Sequence, residues 1–284
     1  MRPATGASSS STARFSLAGP SIALDPRINA FREDLADIAL SDRVLAPHYA
    51  RPLIRGCGSR ATLLRAAPRD DGDPVTELLP GEDFAVLEYA GGWAWGYRAG
   101  DHAVGYVEAI ALADPAQATH IVCETHAPVT ADATVTAPLI ASLPMGSLLH
   151  GTPCDPCLAT EYGCVSLAHL RPIGDHEADP VVVAERLLGA PWLDGGRSEH
   201  GIDAGGLVQL ALGLCGIAAP RFVDLLAEIG EPATDARRGD LVIADDVAGL
   251  MIDDLMMIHA SGAAGKVTVE PLALYDAQLR RLPI

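Results

Sequence analysis

The run Gly195-Gly-Arg-Ser-Glu-His-Gly-Ile-Asp-Ala-Gly-Gly-Leu-Val-Gln209 decides the fold expected for the last third of the chain. Its first half is rich in glycine and predicts a loop. Asp203 can accept hydrogen bonds from the unpaired N–H groups of a helix that begins just after it. Apolar residues then recur at helical spacing, and Gly216 supplies a C-terminal stop. The stretch therefore predicts a glycine-rich loop followed by a helix with a buried face.

Ala204 is the first residue of this predicted helix. At such a position the helix dipole and the unpaired amides would lower the pKa of a thiol and stabilise its thiolate. A cysteine at position 204 would therefore be a strong nucleophile, whereas the chain carries an alanine there.

The run Asp203-Ala-Gly-Gly-Leu-Val-Gln209 resembles the Asp-Cys-Ser-Gly-Leu-Val-Gln signature of the NlpC-like cell-wall cysteine peptidases, which have a papain-like fold. The aspartate, the last glycine and the apolar positions are in register. Ala204 stands at the place of the nucleophilic cysteine, and Gly205 at the place of the serine. The resemblance implies the fold of this family without its nucleophile.

Two further active-site positions can be compared with the family pattern. Family members carry a run similar to Arg-Arg-Gly-Asp-Leu-Val, followed closely by a run similar to His-Val-Gly-Ile-Met. The histidine of the second run is the general base. Here the second run reads Val247-Ala-Gly-Leu-Met251, which places Val247 at the base position. The third polar position, a histidine that orients the base, falls on His259. Because a thiolate and its base act as one unit, the resemblance implies a hydrolytic rate close to the uncatalysed background.

The pattern around the signature predicts helices that pack on an antiparallel sheet. Asp179 and Pro180 are a strong start signal for a helix over residues 181–188, and a second helix is expected over 222–229. Apolar runs broken by Asp or Gly then predict strands, at residues 237–243, 249–252, 255–259 and 266–270. We assign residues 175–284 to the papain-like NlpC-type domain.

Residues 55–114 have a different pattern of short alternating apolar runs separated by glycine turns, which predicts a small β-barrel. The elements Gly91-Gly-Trp-Ala-Trp95 and Gly105-Tyr-Val107 resemble a bacterial SH3-like domain, and a weaker second copy covers residues 115–174. Residues 25–54 are expected to be a docking arm that opens with a short helical segment at Asp25, and residues 1–24 a disordered leader. The expected fold is α+β, with two small SH3-like β-barrels followed by the papain-like domain.

The resemblance also implies a binding site for the amine of a peptide. In relatives with tandem SH3-like domains, peptides that begin with L-alanine followed by γ-D-glutamate are held at their free amine by an acidic residue, a tyrosine and the aspartate before the nucleophile. The matching positions here are Glu82, Tyr106 and Asp203. Each also has a purely structural interpretation: Asp203 caps a helix, Glu82 is a solvated turn residue, and Tyr106 belongs to the barrel core. His259 can equally be a histidine near a strand end with no role.

Composition restricts the partners and the compartment. The formal net charge is −17, from 37 acidic and 20 basic residues, so the surface repels nucleic acid and anionic membranes. The segment 1–23 lacks the apolar core of a secretory signal, and we find no run long enough to span a membrane. We therefore expect a cytoplasmic protein that uses no cofactor.

The six cysteines would suit disulfides in a secreted chain, whereas a cytoplasmic chain more often keeps them reduced. Cys154 and Cys157 have redox or metal-ligand spacing, and Cys164 and His169 could complete four zinc ligands, although the intervals match no established zinc pattern. We expect unpaired thiols and no metal.

Three functions follow from these residues. The preferred one is a catalytically inactive homologue of a γ-D-glutamyl-L-diamino acid endopeptidase that binds or senses cell-wall peptides with a free N-terminal amine. The second is a scaffold that pairs with itself or with an active paralogue through apolar runs such as Leu250-Met-Ile252. The third is a residual hydrolase that uses Ser261 or another cysteine.

Overall fold

Three groups of strands follow one another along the chain in the computed structural model, which describes residues 23–134 and 136–282. The expected leader, residues 1–24, lies outside the described residues except for its last two positions. None of the helices in the two described ranges is long and apolar enough to cross a bilayer.

The first described segment is an arm that packs on the β unit after it. Strands β1 (Leu35–Asp37) and β2 (His48–Ala50) pair in parallel, and a short 3-10 helix, Ile38–Leu40, follows β1. The helical segment expected at Asp25 is only a single turn, in which the N–H groups of Ile28 and Asn29 both donate to the Asp25 carbonyl. Ala30 and Leu35 are buried against Leu87 and Trp95 of the next unit. The arm is therefore docked by apolar contacts.

The N-terminal β unit is a seven-stranded sheet in the order β5-β4-β8-β7-β6-β3-β9. Its strands are β3 (Leu53–Cys57), β4 (Thr62–Arg65), β5 (Pro74–Leu78), β6 (Asp83–Ala90), β7 (Trp93–Arg98), β8 (Val104–Glu108) and β9 (Leu112–Ala113). Leu64, Leu78, Phe84 and Val107 form its core. Apolar runs in the sequence predict β4, β6, β7 and β8 but not β3, β5 or β9; Gly56 in β3 and Pro74 in β5 are unfavourable strand residues.

The middle β unit consists of two sheets, β13-β10-β17 and β12-β11-β16-β15-β14. Its strands are β10 (His120–Val122), β11 (His126–Thr130), β12 (Leu139–Pro144), β13 (Leu148–Leu149), β14 (Thr152–Cys154), β15 (Cys157–Thr160), β16 (Gly163–Ser166) and β17 (Leu170–Pro172). Val122, Val129, Leu143 and Leu158 are fully or almost fully buried in its core.

The C-terminal unit packs short helices on a six-stranded antiparallel sheet, as the fold class requires. The helices are α1 (Pro180–Glu185), α2 (Ala204–Leu214) and α3 (Val223–Leu226). The sheet has the order β20-β25-β21-β22-β23-β24, and β18 and β19 form a separate hairpin. Its strands are β18 (Arg197–Ser198), β19 (Gly201–Ile202), β20 (Glu231–Ala233), β21 (Leu241–Ala244), β22 (Val247–Met251), β23 (Met256–Ser261), β24 (Lys266–Pro271) and β25 (Gln278–Arg281).

Two of the helices are shorter than the sequence predicted. Helix α1 begins where expected, because Asp179 Oδ1 accepts a hydrogen bond of 2.8 Å from the Val181 N–H. Residues after its end, and after the end of α3, donate to the carbonyl three positions earlier instead of four, as in Leu188 to Glu185 and Glu228 to Leu225. The last residues of both predicted helices therefore form turns rather than further α-helix.

The two faces of the sheet pack against different elements. Ala248, Leu250, Ile258 and Ala260 share one core cluster with α2. Residues of the opposite parity, such as Met251 and Met257, belong to a second cluster. Alternation along β22 and β23 thus divides the sheet into a face covered by helices and a face covered by the C-terminal segment.

Candidate functional site

An open cleft of about 1120 Å³ lies at the N-terminus of α2. The arm, the N-terminal β unit and the C-terminal unit all contribute to its walls. The lining side chains discussed below are Arg27, Arg32, Asp73, Trp95, Tyr106, Asp194, Asp203, Ala204, Arg221, Asp224, Asp245 and Asp246. The cleft therefore lies at the junction of three parts of the chain.

Asp203 caps α2, as predicted. Its Oδ1 accepts the Gly206 N–H at 2.8 Å, and its Oδ2 accepts the Gly195 N–H at 2.9 Å. The same Oδ2 lies 2.6 Å from Nη2 of Arg221, which is buried. The carboxylate thus fixes the helix start, the glycine loop and one arginine at once.

Ala204 is the first residue of α2 and presents a methyl group at the position where the family carries its thiol. It lines the cleft although only 2% of its surface is exposed. The helix start is formed as the sequence predicts, and its first residue carries a methyl group.

Arg221 explains why glycine follows Ala204. A Cβ at position 205 would lie 2.3 Å from the Arg221 carbonyl oxygen and 2.8 Å from its Nη1. The guanidinium is held in place by Asp203 and by a hydrogen bond of 2.8 Å from its Nε to Thr76 Oγ1 in the N-terminal unit. A serine at position 205, as in the family signature, does not fit beside this arginine.

Val247 and His259 are not brought together with Ala204. Val247 packs with Val242, Met251 and Met257, on the face of the sheet opposite to the cluster that contains Ala204. Within the described residues, the cleft wall reaches the preceding turn at Asp245 and Asp246 but includes neither Val247 nor His259.

His259 belongs to a buried polar group on that second face. Its Nε2 lies 3.2 Å from Oε2 of Glu270, and the Tyr275 hydroxyl donates to the same carboxylate oxygen. The His259 and Tyr275 rings meet edge to face at 5.5 Å. Burial lowers the pKa of His259, although Glu270 acts in the opposite direction. The net lowering favours the neutral imidazole. His259 therefore has its own hydrogen-bonding and packing partners, Glu270 and Tyr275, on this face of the sheet.

Tyr106 lines the cleft together with Asp203. Its ring packs near Trp95, and its hydroxyl accepts a hydrogen bond of 3.3 Å from Nη1 of Arg32. The Arg32 guanidinium also stacks 4.5 Å above the Trp95 ring. The tyrosine combines the expected packing role with a hydroxyl at the cleft wall.

Glu82 departs from both interpretations of the sequence, because it is neither a solvated turn residue nor part of the cleft wall. Its carboxylate accepts hydrogen bonds from Arg98 and, at 2.9 Å, from Nη1 of Arg197, and its side chain is 12% exposed. Burial opposes its charge, but the two arginines outweigh burial and lower the pKa of Glu82. The amine-binding trio expected from the sequence is therefore not assembled around this residue.

Asp73 is the acid of the N-terminal unit that does line the cleft. It precedes Pro74 at the start of β5, a strand that the sequence analysis missed, so its position could not be inferred. The cleft wall as a whole contains six aspartates and three arginines. Arg27 is already paired with Asp25 and Asp224, at 2.7 and 2.5 Å. The cleft is thus acidic and favours a cationic group.

Across residues 23–134 and 136–282, no group of three or more His, Cys, Asp or Glu side chains is arranged to hold a metal ion.

Comparisons with known proteins agree with this architecture. Residues 189–278 match the NlpC/P60 family, and residues 64–112 match the bacterial dipeptidyl-peptidase Sh3 domain. The fold is similar to the crystal structure of an NlpC/P60 family protein from Bacillus cereus, with a TM-score of 0.70 and 17% identity over 81% of this chain and 99% of that one. An NlpC/P60 endopeptidase from Photobacterium damselae gives a TM-score of 0.53 at 11% identity, over 79% of this chain and 65% of that one.

Two curated relatives are similar in sequence. A probable endopeptidase of Mycobacterium bovis is 35% identical over 127 residues, which is 41% of this chain and 33% of the relative. The peptidoglycan endopeptidase RipB of Mycobacterium tuberculosis is 37% identical over 86 residues, which is 28% of this chain and 36% of RipB. The matches span about a third of each relative's length. The chain therefore carries an NlpC/P60-family domain preceded by a bacterial SH3 domain of the dipeptidyl-peptidase type, and the resemblance drawn from the sequence is confirmed.

Proposed function

We propose that this protein binds cell-wall peptides through their free N-terminal amine and does not cleave them. The observation that carries the proposal is the start of α2, where Ala204 replaces the nucleophile inside a cleft that remains open and acidic. The proposal includes a papain-like arrangement of the NlpC/P60 domain and a second SH3-like barrel in residues 115–174.

The ligand class follows from the cleft and from the relatives. An ammonium group has three donors and is best held by carboxylate and hydroxyl oxygens. Asp73 and Tyr106 supply such oxygens from the N-terminal unit, and Asp203 adds negative charge from the other wall. Because Asp203 already accepts three hydrogen bonds, we assign the direct contacts to Asp73 and Tyr106. The named relatives are endopeptidases, one of them of peptidoglycan, which supports a cell-wall peptide as the ligand.

Titration calorimetry with L-Ala-γ-D-Glu and with its N-acetylated form tests the proposal. We expect a dissociation constant in the micromolar range or weaker for the free amine, and a loss of at least about ten-fold for the acetylated peptide, or about 1.4 kcal/mol. Asp73→Asn should weaken binding similarly. Asp71→Asn is the matched control, because Asp71 is exposed in the same turn and does not line the cleft.

Two results would overturn this assignment. A folded protein that gives no heat with either peptide would exclude amine binding. Chromatography that shows hydrolysis of a longer cell-wall peptide would exclude the loss of catalysis.

The two other functions find less support in the structure. For a scaffold, the apolar run Leu250-Met-Ile252 and its neighbour on β23 should be exposed, but Leu250, Met251, Met257 and Ile258 are fully buried. Ile252 and Met256 are half-buried, and Leu255, just before β23, is 68% exposed. A contact with an active paralogue or a second copy would have to use another surface.

A residual hydrolase lacks a replacement nucleophile in the cleft. Ser261 is 5% exposed, and its Oγ accepts a hydrogen bond of 3.1 Å from the Ala264 N–H. Cys215 follows the last residue of α2, which at 1.5 Å per residue puts it about 16 Å from Ala204. Neither residue is part of the cleft wall.

A further inference from the structure

Three cysteines of the middle β unit lie on one face of a single strand group. Cys154 and Cys157 are direct cross-strand partners in the β14-β15 hairpin, on either side of its two-residue turn. Cys164 on β16 is paired with Ala159, two residues along β15 from Cys157. Because side chains alternate between faces and paired residues share one, all three thiols are on the same side of the sheet.

The spacing within the hairpin suits a disulfide. Directly opposed residues of an antiparallel pair have Cα atoms about 4.5–5.5 Å apart. A disulfide requires about 4.4–6.8 Å, so Cys154 and Cys157 can be bridged with the strands in place. Cys157 and Cys164 are diagonal neighbours rather than direct partners, and the Cys164 side chain is near enough to Cys157 to affect its pKa.

The three thiols differ in exposure. Cys154 is exposed, Cys164 is half-buried, and Cys157 is 4% exposed. Cys157 Sγ donates to the Cys154 carbonyl oxygen at 3.3 Å. Burial, with contributions from the neighbouring Cys164 and Cys154, raises the pKa of Cys157 to about 11, so it is a thiol at neutral pH. A reagent in solution therefore reaches Cys154 first.

A metal does not account for this cluster. Within the described residues no group of His, Cys, Asp or Glu is arranged to hold a metal ion, and the three cysteines are included in that statement. The cleft wall also includes none of the three, so their chemistry is independent of peptide binding.

We propose that Cys154 and Cys157 form a reversible dithiol–disulfide site that reacts with small-molecule disulfides. The thiolate of Cys154 attacks one sulfur of a disulfide RSSR, forms a mixed disulfide and releases one thiolate RS⁻. Cys157 then loses its proton to solvent and attacks the Cys154 sulfur, which forms the protein disulfide and releases the second RS⁻. Two protein thiols are oxidised, one RSSR is reduced to two RSH, and two electrons pass from the protein to the small molecule.

The product changes the edge of the sheet. Strand β14 is the edge strand of its five-stranded sheet and is paired with β15 alone. A bridge from Cys154 to Cys157 joins that edge strand covalently to its neighbour. Reduction by an excess of the small thiol restores the open form.

Thiol counting in a glutathione redox buffer tests this site. The intact protein is equilibrated with reduced and oxidised glutathione at several ratios, alkylated with N-ethylmaleimide and weighed. We expect six alkylated thiols under reducing conditions and four under oxidising conditions, with the two lost thiols mapped to the peptide that contains Cys154 and Cys157. Added dithiothreitol should restore all six.

Cysteine variants show which thiol attacks the small-molecule disulfide and which one then closes the bridge. Cys154→Ser, at an exposed position, should retain the fold and stop the loss of thiols. Cys157→Ser should leave a stable glutathione adduct on Cys154. Cys215→Ser and Cys164→Ser are the controls, and each should still form the bridge. Six alkylated thiols at the most oxidising ratio would overturn the proposal, as would a thiol loss that Cys154→Ser does not affect.

Discussion

Ala204 is the residue on which the proposed loss of catalysis depends. It lies at the start of an eleven-residue helix capped by Asp203, and the Arg221 guanidinium lies beside the next residue. The helix terminus would stabilise an anion placed at this position, whereas the charge of Arg221 is already paired with Asp203. The helix start thus remains a position that favours an anion, as the proposal of a lost nucleophile requires.

Ala204→Cys should therefore create a reactive thiol but no peptidase. We expect a pKa below the ordinary value of about 8.5 for the added thiol, measured from the pH dependence of iodoacetamide alkylation relative to the unsubstituted protein. Cys215 is an internal reference, because burial raises its pKa to about 11. No hydrolysis of cell-wall peptides is expected, because neither Val247 nor His259 lines the cleft beside position 204 as a general base.

An added thiol that reacts only in the pH range of Cys215 would contradict this account of the helix start. Hydrolysis by the single variant would show that some other group in the cleft serves as the base.

Two of the three glycines in helix α2 have opposite surroundings. A Cβ at Gly205 would meet the Arg221 carbonyl at 2.3 Å, whereas a Cβ at Gly213 would meet nothing within 4 Å. Glycine within a helix costs about 1 kcal/mol relative to alanine. One glycine is thus required by packing, and the other only weakens the helix.

The free energy of unfolding should change in opposite directions when each glycine is replaced. Gly213→Ala should stabilise the protein by up to about 1 kcal/mol. Gly205→Ala should destabilise it by about 1–3 kcal/mol, because the contact is too close. Urea denaturation measures both values. Removing the guanidinium with Arg221→Ala should not rescue Gly205→Ala, since the closest atom is a backbone oxygen. Equal effects at the two sites would contradict the packing of α2 against Arg221.

Local signals made some elements predictable and left others hidden. The start of α2 was predictable because Asp203, the glycines and the apolar spacing are adjacent in sequence, and Gly216 does adopt the positive φ of 76° that ends such helices. The ends of α1 and α3 were not, because the change from α-helix to turns depends on tertiary packing. The role of Glu82 was hidden for the same reason: its partner Arg197 is 115 residues away.

At the scale of the whole molecule, buried polar contacts join the N-terminal β unit to the NlpC/P60 domain. Arg197 binds Glu82, Arg221 binds Thr76, and Gln209 Nε2 donates to Asp101 at 2.8 Å. Each of the three residues on the C-terminal side is 5% exposed or less. The cleft between the two parts is therefore held at a fixed width.

Glu82→Gln should destabilise this junction and change its pH dependence. Removing one partner of a buried ion pair costs about 3–5 kcal/mol, because the remaining charge stays buried. Since the two arginines lower the folded-state pKa of Glu82 below its usual 4.5, its contribution is complete above about pH 4.5 and is lost as the pH falls below that value. Thermal unfolding between pH 3 and pH 7 should show a smaller acid-side decrease in the variant.

Glu108→Gln is the control, because Glu108 is an exposed acid of the same unit. An unchanged unfolding free energy in Glu82→Gln would show that the arginines do not depend on this carboxylate.

The docked arm has a practical consequence for anyone who shortens this protein. Pro26, Arg27, Phe31 and Arg32 all contribute to the wall beside Ala204, and Arg27 reaches across to Asp224. A fragment that begins at β3 would keep the residues that match the SH3 and NlpC/P60 families and still lack one side of the cleft. Affinities measured on such a fragment would describe a wider and more acidic trough than the one the full chain offers.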